Sequence, residues 1–466
     1  MNTPGRHAAK LFMALTALVA SHSAASAQRA MLEPIIHEQT LENGMEVMVV
    51  ENHAVPIATV EVVVKTGAMS QTPEDQGVPH LFEHMLFKGY RGGGGIEFGQ
   101  EAATLHAAYN GTTSQEQVTY YLTLPSSHAS DAIRVLAQLV RSPRFVKDDL
   151  NTERFVVLGE FRRNVSDPRF HLQNEISQLL WGSEWPRKNT LGDQVALLAV
   201  TPEHLKTIFE RYYVPNNTAL VVSGDVDPQK IFAAASDKFA SWKRAPNPYE
   251  QYPVPAMPPL ASTQAVVVTG DVNEITVEIQ WQGPSVGRDR DDTYAADVFS
   301  TYVNDEQSAL QKRFVDSGNW HTASFGYSTL DHTGPVSFYG TTSMDHLAAA
   351  LTVLQAELMV MQGEEYFDPE LLKVVEKRRS VATAFQLEES IGLAHTVGYW
   401  WSVAGLDYYL DYTDNLSKRG PSDLSGFVAR YLGGKPFVIG VLAPEKEAPK
   451  VRTFLAQYLE MVSASR

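Results

Sequence analysis

The sequence predicts an α+β protein built from two similar domains, each a mainly antiparallel sheet with packed helices. Three observations lead there: alternating β-branched runs open each half of the chain, helical stretches with apolar residues three and four apart follow them, and a proline-rich segment separates the halves.

The first 27 residues stand outside this fold. Arg6 and Lys10 precede the apolar run LFMALTALVA, and Ala25 and Ala27 set a small-residue cleavage pattern before Gln28, as in a secretory signal peptide. The run is short for a bilayer span, so residues 1–27 are read as a removable leader, with no membrane anchor. The chain contains no cysteine, and export without disulfides suits a periplasmic protein that relies on its core. A formal net charge of -16 over 466 residues, made two units more negative by loss of Arg6 and Lys10, argues against nucleic acid or an anionic membrane as partner.

The first domain is placed at 28–244. It opens with MEVMVV and ATVEVVVKTG, the pattern of half-buried strands, and continues through the amphipathic stretches SDAIRVLAQLVRSP and DLNTERFVVLGEFRRNV. The linker, 245–262, falls in RAPNPYEQYPVPAMPPL, where closely spaced prolines are expected to deny both helix and central strand. The second domain, 263–466, opens with AVVVTGDVNEITVEIQWQG and contains the helical HLAAALTVLQAELMVMQ. Both halves close alike: LKTIFERYYVPNNTALVVSGDVDPQKI resembles LSGFVARYLGGKPFVIGVLAPEKEAPK, with Arg211-Tyr212 and Arg430-Tyr431 offset by 219 residues. That offset suggests a duplicated unit.

The candidate chemistry sits in TPEDQGVPHLFEHMLFKG, a loop entering a helix with Pro79 in its first turn and Gly89 beyond its end. His80 and His84 then share one helical face a turn apart, a spacing at which two imidazoles can bind one zinc ion. Glu83 projects beside them, in the order H-x-x-E-H. Two histidines hydrogen-bonded at a helix surface would show the same spacing without a metal. A third ligand is sought in NTERFVVLGEFRRN, where Glu153 and Glu160 lie seven residues apart with Val156 and Val157 between them, so that this face reads as otherwise apolar. From the residues alone, either glutamate is equally explained as a solvated surface charge. RGGGGIEFGQ lacks a P-loop lysine and reads as a flexible loop beside the site.

With these motifs in place, the sequence resembles the M16 metallopeptidases, the family of pitrilysin, insulin-degrading enzyme and the β subunit of the mitochondrial processing peptidase. That family carries H-x-x-E-H followed at a similar interval by a glutamate ligand; here 75 residues separate His84 from Glu160. The resemblance extends through LENGMEVMVVENHAVPIATVEVVVKTGA, NGTTSQEQVTYYLTLP, LGDQVALLAVTPEHL and YYVPNNTALVVSGDVD, and is weaker in the second half.

It implies a zinc cofactor held by His80, His84 and Glu160, with Glu83 as general base towards a zinc-bound water and Glu153 as a supporting catalytic carboxylate. It further implies half of a clamshell chamber, and peptide substrate bound by strand addition along NGTTSQEQVTYYLTL, with Asn110, Thr112 and Thr113 as substrate-binding candidates. Substrate-binding halves of the family carry an Arg and a Tyr in a segment like LREKRGLAY. Aligned through Gly318, this chain has Phe314 and His321 at those positions, with Arg313 one place off. The expectation is therefore an exported zinc endopeptidase subunit needing a sister chain that supplies the Arg/Tyr pair, in a heterodimer. The alternatives are a non-catalytic assembly subunit and a self-sufficient homodimeric peptidase.

Overall fold

The computed structural model describes residues 27–91, 98–385 and 389–464. The expected leader, apart from its last position, and the glycine run at 92–97 lie outside the described residues. Strands β1 (Ile36–Thr40), β2 (Glu46–Glu51), β3 (Ile57–Val64), β4 (Ala108–Thr113), β5 (Val118–Pro125) and β6 (Thr218–Gly224) form one sheet in the order β1-β2-β6-β3-β5-β4. Strands β7 (Gln264–Gly270), β8 (Ile275–Gln282), β9 (Thr322–Tyr327), β10 (Pro335–Thr342) and β11 (Val438–Pro444) form a second, in the order β7-β11-β8-β10-β9. Without β1, the first sheet has the order of the second. Each contains a single parallel pairing, β2 with β6 and β7 with β11, and all other neighbours run antiparallel.

The helices that matter here are α1 (Val78–Leu86), α2 (Ala129–Arg141), α3 (Lys147–Val165), α4 (Pro168–Trp181), α5 (Ala309–Phe314), α6 (Leu347–Val360) and α7 (Ser390–Val403). On one face of the first sheet, Val60, Val62 and Val64 of β3 pack with Leu81 and Met85 of α1 and Ile133 and Leu136 of α2. The period-two alternation of β3 sends Val63 to the other face, where it meets Leu393, Val397 and Trp401 of α7, a helix from the second half. A Cβ on Gly398 would lie 2.7 Å from Val63 Cγ2, so only glycine lets α7 settle this close to the sheet. The exchange is reciprocal: α4, from the first half, lays Leu172, Ile176 and Leu180 against Val438 and Leu442 of β11. Neither sheet can bury both faces without the other half of the chain.

Polar contacts reinforce the exchange. Glu116, 2% exposed in the turn between β4 and β5, accepts the backbone N–H of Asp331 through Oε2 and that of His332 through Oε1, both at 2.7 Å. Lys188 Nζ donates to the carbonyls of His332 and Thr333 at 2.7 and 2.8 Å. Burial pushes the Lys188 ammonium down to about 8. A single loop of the second half is thus held on both its donors and its acceptors by buried charges of the first. Glu116→Ala removes the acceptor for two backbone N–H groups, and we expect a loss of about 2–3 kcal/mol. Denaturant unfolding of the variant should show a lower midpoint, and an unchanged midpoint would mean that the contact contributes nothing to stability.

One expectation for the proline-rich segment fails locally. Pro248–Gln251 forms a short helix. Pro248 occupies its first turn, where the missing N–H costs nothing, and Asn247 caps it by accepting the N–H of Tyr249 at 3.0 Å.

Candidate metal centre

Helix α1 starts where Gly77, at φ 85°, turns the chain and Pro79 enters the first turn. Val78, Leu81, Phe82, Met85 and Leu86 are buried beneath it, which leaves His80, Glu83 and His84 on the half-buried upper face. The imidazoles stand edge to face with ring centroids 5.0 Å apart. Helix α3 crosses nearby with Leu150, Glu153 and Val157 buried. The side that faces α1 is narrower than expected: Val156 is 43% and Phe155 71% exposed, because positions 155 and 156 turn away from the Glu153, Val157 and Glu160 line.

Three donors converge between these helices. Glu160 Oε2 lies 3.5 Å from His80 Nε2 and 3.8 Å from His84 Nε2, and ligand atoms of the three residues all fall within 4.8 Å of one another. The remaining ring nitrogen of His84, Nδ1, sits 3.1 Å from Glu153 Oε2. Glu153 Oε1 in turn meets Lys88 Nζ at 2.8 Å. An Nδ1–H donated to Glu153 leaves the Nε2 lone pair of His84 directed to Glu160, the arrangement by which an outer carboxylate fixes the tautomer of a metal-ligating histidine. Burial first, and His84 second, push the His80 imidazole down to about 4, so it stays neutral and able to donate a lone pair near neutral pH. Its Nδ1 is buried without a hydrogen-bond partner among the described residues. Two imidazoles and one carboxylate are the donor set of a catalytic zinc site with three protein ligands, and these residues fit that ion.

Glu83 stands apart from the three. Its Oε2 accepts a 2.8 Å hydrogen bond from Thr113 Oγ1 of β4. Burial pushes its carboxyl above the ordinary value; the Thr113 bond and His84 oppose that shift, and Glu160 adds to it. Strand β4 can come this close because of Gly111, where a Cβ would meet Glu83 Cγ at 2.8 Å and the Thr119 carbonyl at 3.1 Å. Gly111→Ala should therefore displace Glu83 or β4. We expect turnover to fall at least about tenfold with metal content retained, checked by kinetics alongside metal analysis.

The three candidate substrate contacts do not share a face. Thr113 touches Glu83, whereas Thr112 Oγ1 pairs with Thr119 Oγ1 at 2.9 Å and Asn110 sits opposite Tyr121, whose ring contacts His395 of α7. Alternation along a strand puts Asn110 and Thr112 on the face away from Glu83. Their strand is nonetheless an edge of the sheet, so the outward backbone groups of β4 are available to an extended chain. Lys88 and Gly111 were not among the candidate residues. Lys88 had a legible signal, a lysine four residues beyond His84, which the structure places just past the end of α1.

In the second half, Phe314 of α5 is fully buried, packed against Trp320 and Phe338. Arg313 is held by Glu357 of α6 at 2.8 Å, and His321 pairs with Glu274 at 2.9 Å.

Comparison with known families assigns the chain. The family described as "Insulinase (Peptidase family M16)" matches residues 46–193, and "Peptidase M16 inactive domain" matches 199–377. The chain belongs to peptidase family M16. All three converging donors lie in the first of these M16 regions. Among curated relatives, an uncharacterized zinc protease of Bacillus subtilis, YmxG, is 22% identical over 425 residues, covering 89% of this chain and 100% of the relative. Among solved M16-like folds, a protease from Helicobacter pylori superposes with a TM-score of 0.77 at 21% identity, covering 88% of this chain and 99% of the other. The periplasmic protease PqqL from Escherichia coli gives a TM-score of 0.73 at 18% identity, covering 90% of this chain and 48% of that one.

Proposed function

We propose that this chain is the zinc-bearing subunit of an exported, periplasmic endopeptidase that cuts peptides or unfolded polypeptides. The observation that carries the proposal is the convergence of His80, His84 and Glu160 within 4.8 Å, with Glu83 beside them and in contact with an edge strand. The zinc protease names of its relatives support the same reading.

A bound zinc ion would supply a Lewis acid that polarises a carbonyl and acidifies water. The chain's own residues supply the rest. His80 and His84 offer ring nitrogens, and Glu160 the one anionic donor. Glu153 holds the His84 ring and its tautomer. Thr113 occupies Glu83 Oε2, which leaves Oε1 as the atom to take a proton from water and return it to the leaving amine. A carboxylate held beside the converging ligands can serve both transfers. Substrate would add as a further strand beside β4, its backbone meeting the outer groups of that strand.

The second half argues for a partner. Phe314 is committed to the core and Arg313 is paired with Glu357, so position 314 offers no cation and Arg313 already has a carboxylate partner. A sister chain carrying the Arg/Tyr pair would complete the enzyme. The test is cleavage of a quenched fluorescent peptide by the zinc-loaded chain, alone and with its sister chain. The reading expects turnover only with the partner. Chelator-sensitive turnover by the chain alone would replace it with a homodimeric peptidase, and no turnover in either arm would leave a non-catalytic subunit.

A further inference from the structure

A cavity of about 640 Å³ lies between the two halves, and none of its lining residues belongs to the candidate metal centre. Lys65, at the end of β3, enters it from the first half. Its Nζ sits 4.1 Å over the ring of Trp401, with no hydrogen bond or carboxylate within ion-pair distance among the described residues. Burial pushes its ammonium below the ordinary lysine value, with only distant help from Glu46 and Asp331. Around it stand apolar walls from Met69, Val254 and Val286. A second pocket of about 240 Å³ shares Val254, Gly287, Asp331 and His332 with the first and extends it along the linker.

The lining charges are nearly balanced. Lys65 and Arg290 face Glu116 and Asp331, and both oxygens of Glu116 are already engaged by backbone N–H groups. Arg290 is already engaged, its Nη2 donating to the Ala404 carbonyl at 2.8 Å and its guanidinium lying 5.1 Å from the Tyr408 ring, so Lys65 is the cation left to a ligand, and with Asp331 in the same lining it matches a single carboxylate better than a dianion such as phosphate. The combined space accommodates a few residues, and apolar walls beside the cation suit a hydrophobic terminal side chain.

We propose that this cavity binds the C-terminal end of a short peptide, with the α-carboxylate on Lys65 and the terminal side chain against Trp401 and Val286. The site is separate from the metal centre and does not depend on the peptidase reading. The test is titration calorimetry on the metal-free chain, in which hydrolysis is absent, with acetyl-Ala-Ala-Phe as free acid and as C-terminal amide. The free acid should bind saturably, the amide at least about tenfold more weakly, and Lys65→Gln should weaken the acid by a similar factor without affecting the amide. Comparing acid with amide on the unaltered chain keeps the test valid if the variant folds poorly. Equal binding of acid and amide, no binding of either at millimolar concentration, or displacement of the acid by stoichiometric inorganic phosphate would overturn the proposal.

Discussion

Glu83→Gln is expected to lower kcat for peptide hydrolysis by about 10²–10⁴-fold, the range supplied by a positioned general base, while zinc content and KM stay near those of the parent. The substitution is nearly isosteric. The amide oxygen of Gln still accepts from Thr113 Oγ1, which now approaches Glu83 at 2.8 Å, so β4 keeps its place against α1. The convergence of His80, His84 and Glu160 does not involve residue 83, and metal should be retained. Only the capacity to take and return a proton is lost. Steady-state kinetics with metal analysis of the same preparation separates the outcomes: a zinc-loaded Gln variant with near-parental turnover would remove Glu83 from the role of base.

The second large effect is expected at Glu153, and it should appear in metal affinity before it appears in turnover. Glu153 is 6% exposed and makes no approach to the point where His80, His84 and Glu160 meet. Its Oε2 instead holds His84 Nδ1 at 3.1 Å. Without it, nothing selects the tautomer that leaves Nε2 free, and the ring loses its orientation. Glu153→Ala should weaken zinc binding by about 10–100-fold, as loss of such outer partners does; Glu153→Gln, which can still accept from Nδ1 but lacks the charge, should fall between. Competition with a chromophoric chelator measures both. Equal affinity in parent and Ala variant would show that Glu153 has no hold on the metal.

What could be read before the fold was known follows from the range of each signal. The pairing of His80 with His84 is a helix-periodicity statement, needing only residues four apart. Glu160 lies on a different helix, so no local pattern ties it to α1; it stood beside Glu153 as a candidate third ligand, and only resemblance to a family chose between them. The duplication was legible from Arg211-Tyr212 and Arg430-Tyr431, and the two sheets share their strand order. The exchange of α4 and α7 between the halves was not legible: an apolar helix face such as Leu172, Ile176 and Leu180 shows that it is buried but not against which sheet. The face that Asn110 takes was not legible for a related reason. A strand side chain has only two directions, but choosing between them needs the sheet's register, which places Asn110 opposite Tyr121 and Thr113 against Glu83. Val156 shows the converse error, since it was read with Val157 on the face between the two glutamates, and α3 buries Val157 but turns Val156 to solvent.

If His80, His84 and Glu160 act together as one zinc site, zinc stoichiometry of the purified chain and its single variants after loading and exhaustive dialysis is the most direct measurement of it. One zinc per chain is expected for the parent and for Glu83→Gln, and far less than one for His80→Ala, His84→Ala and Glu160→Ala, with the folded content of each variant checked by circular dichroism. Parental zinc content in a folded Glu160→Ala or His80→Ala chain would contradict a shared site.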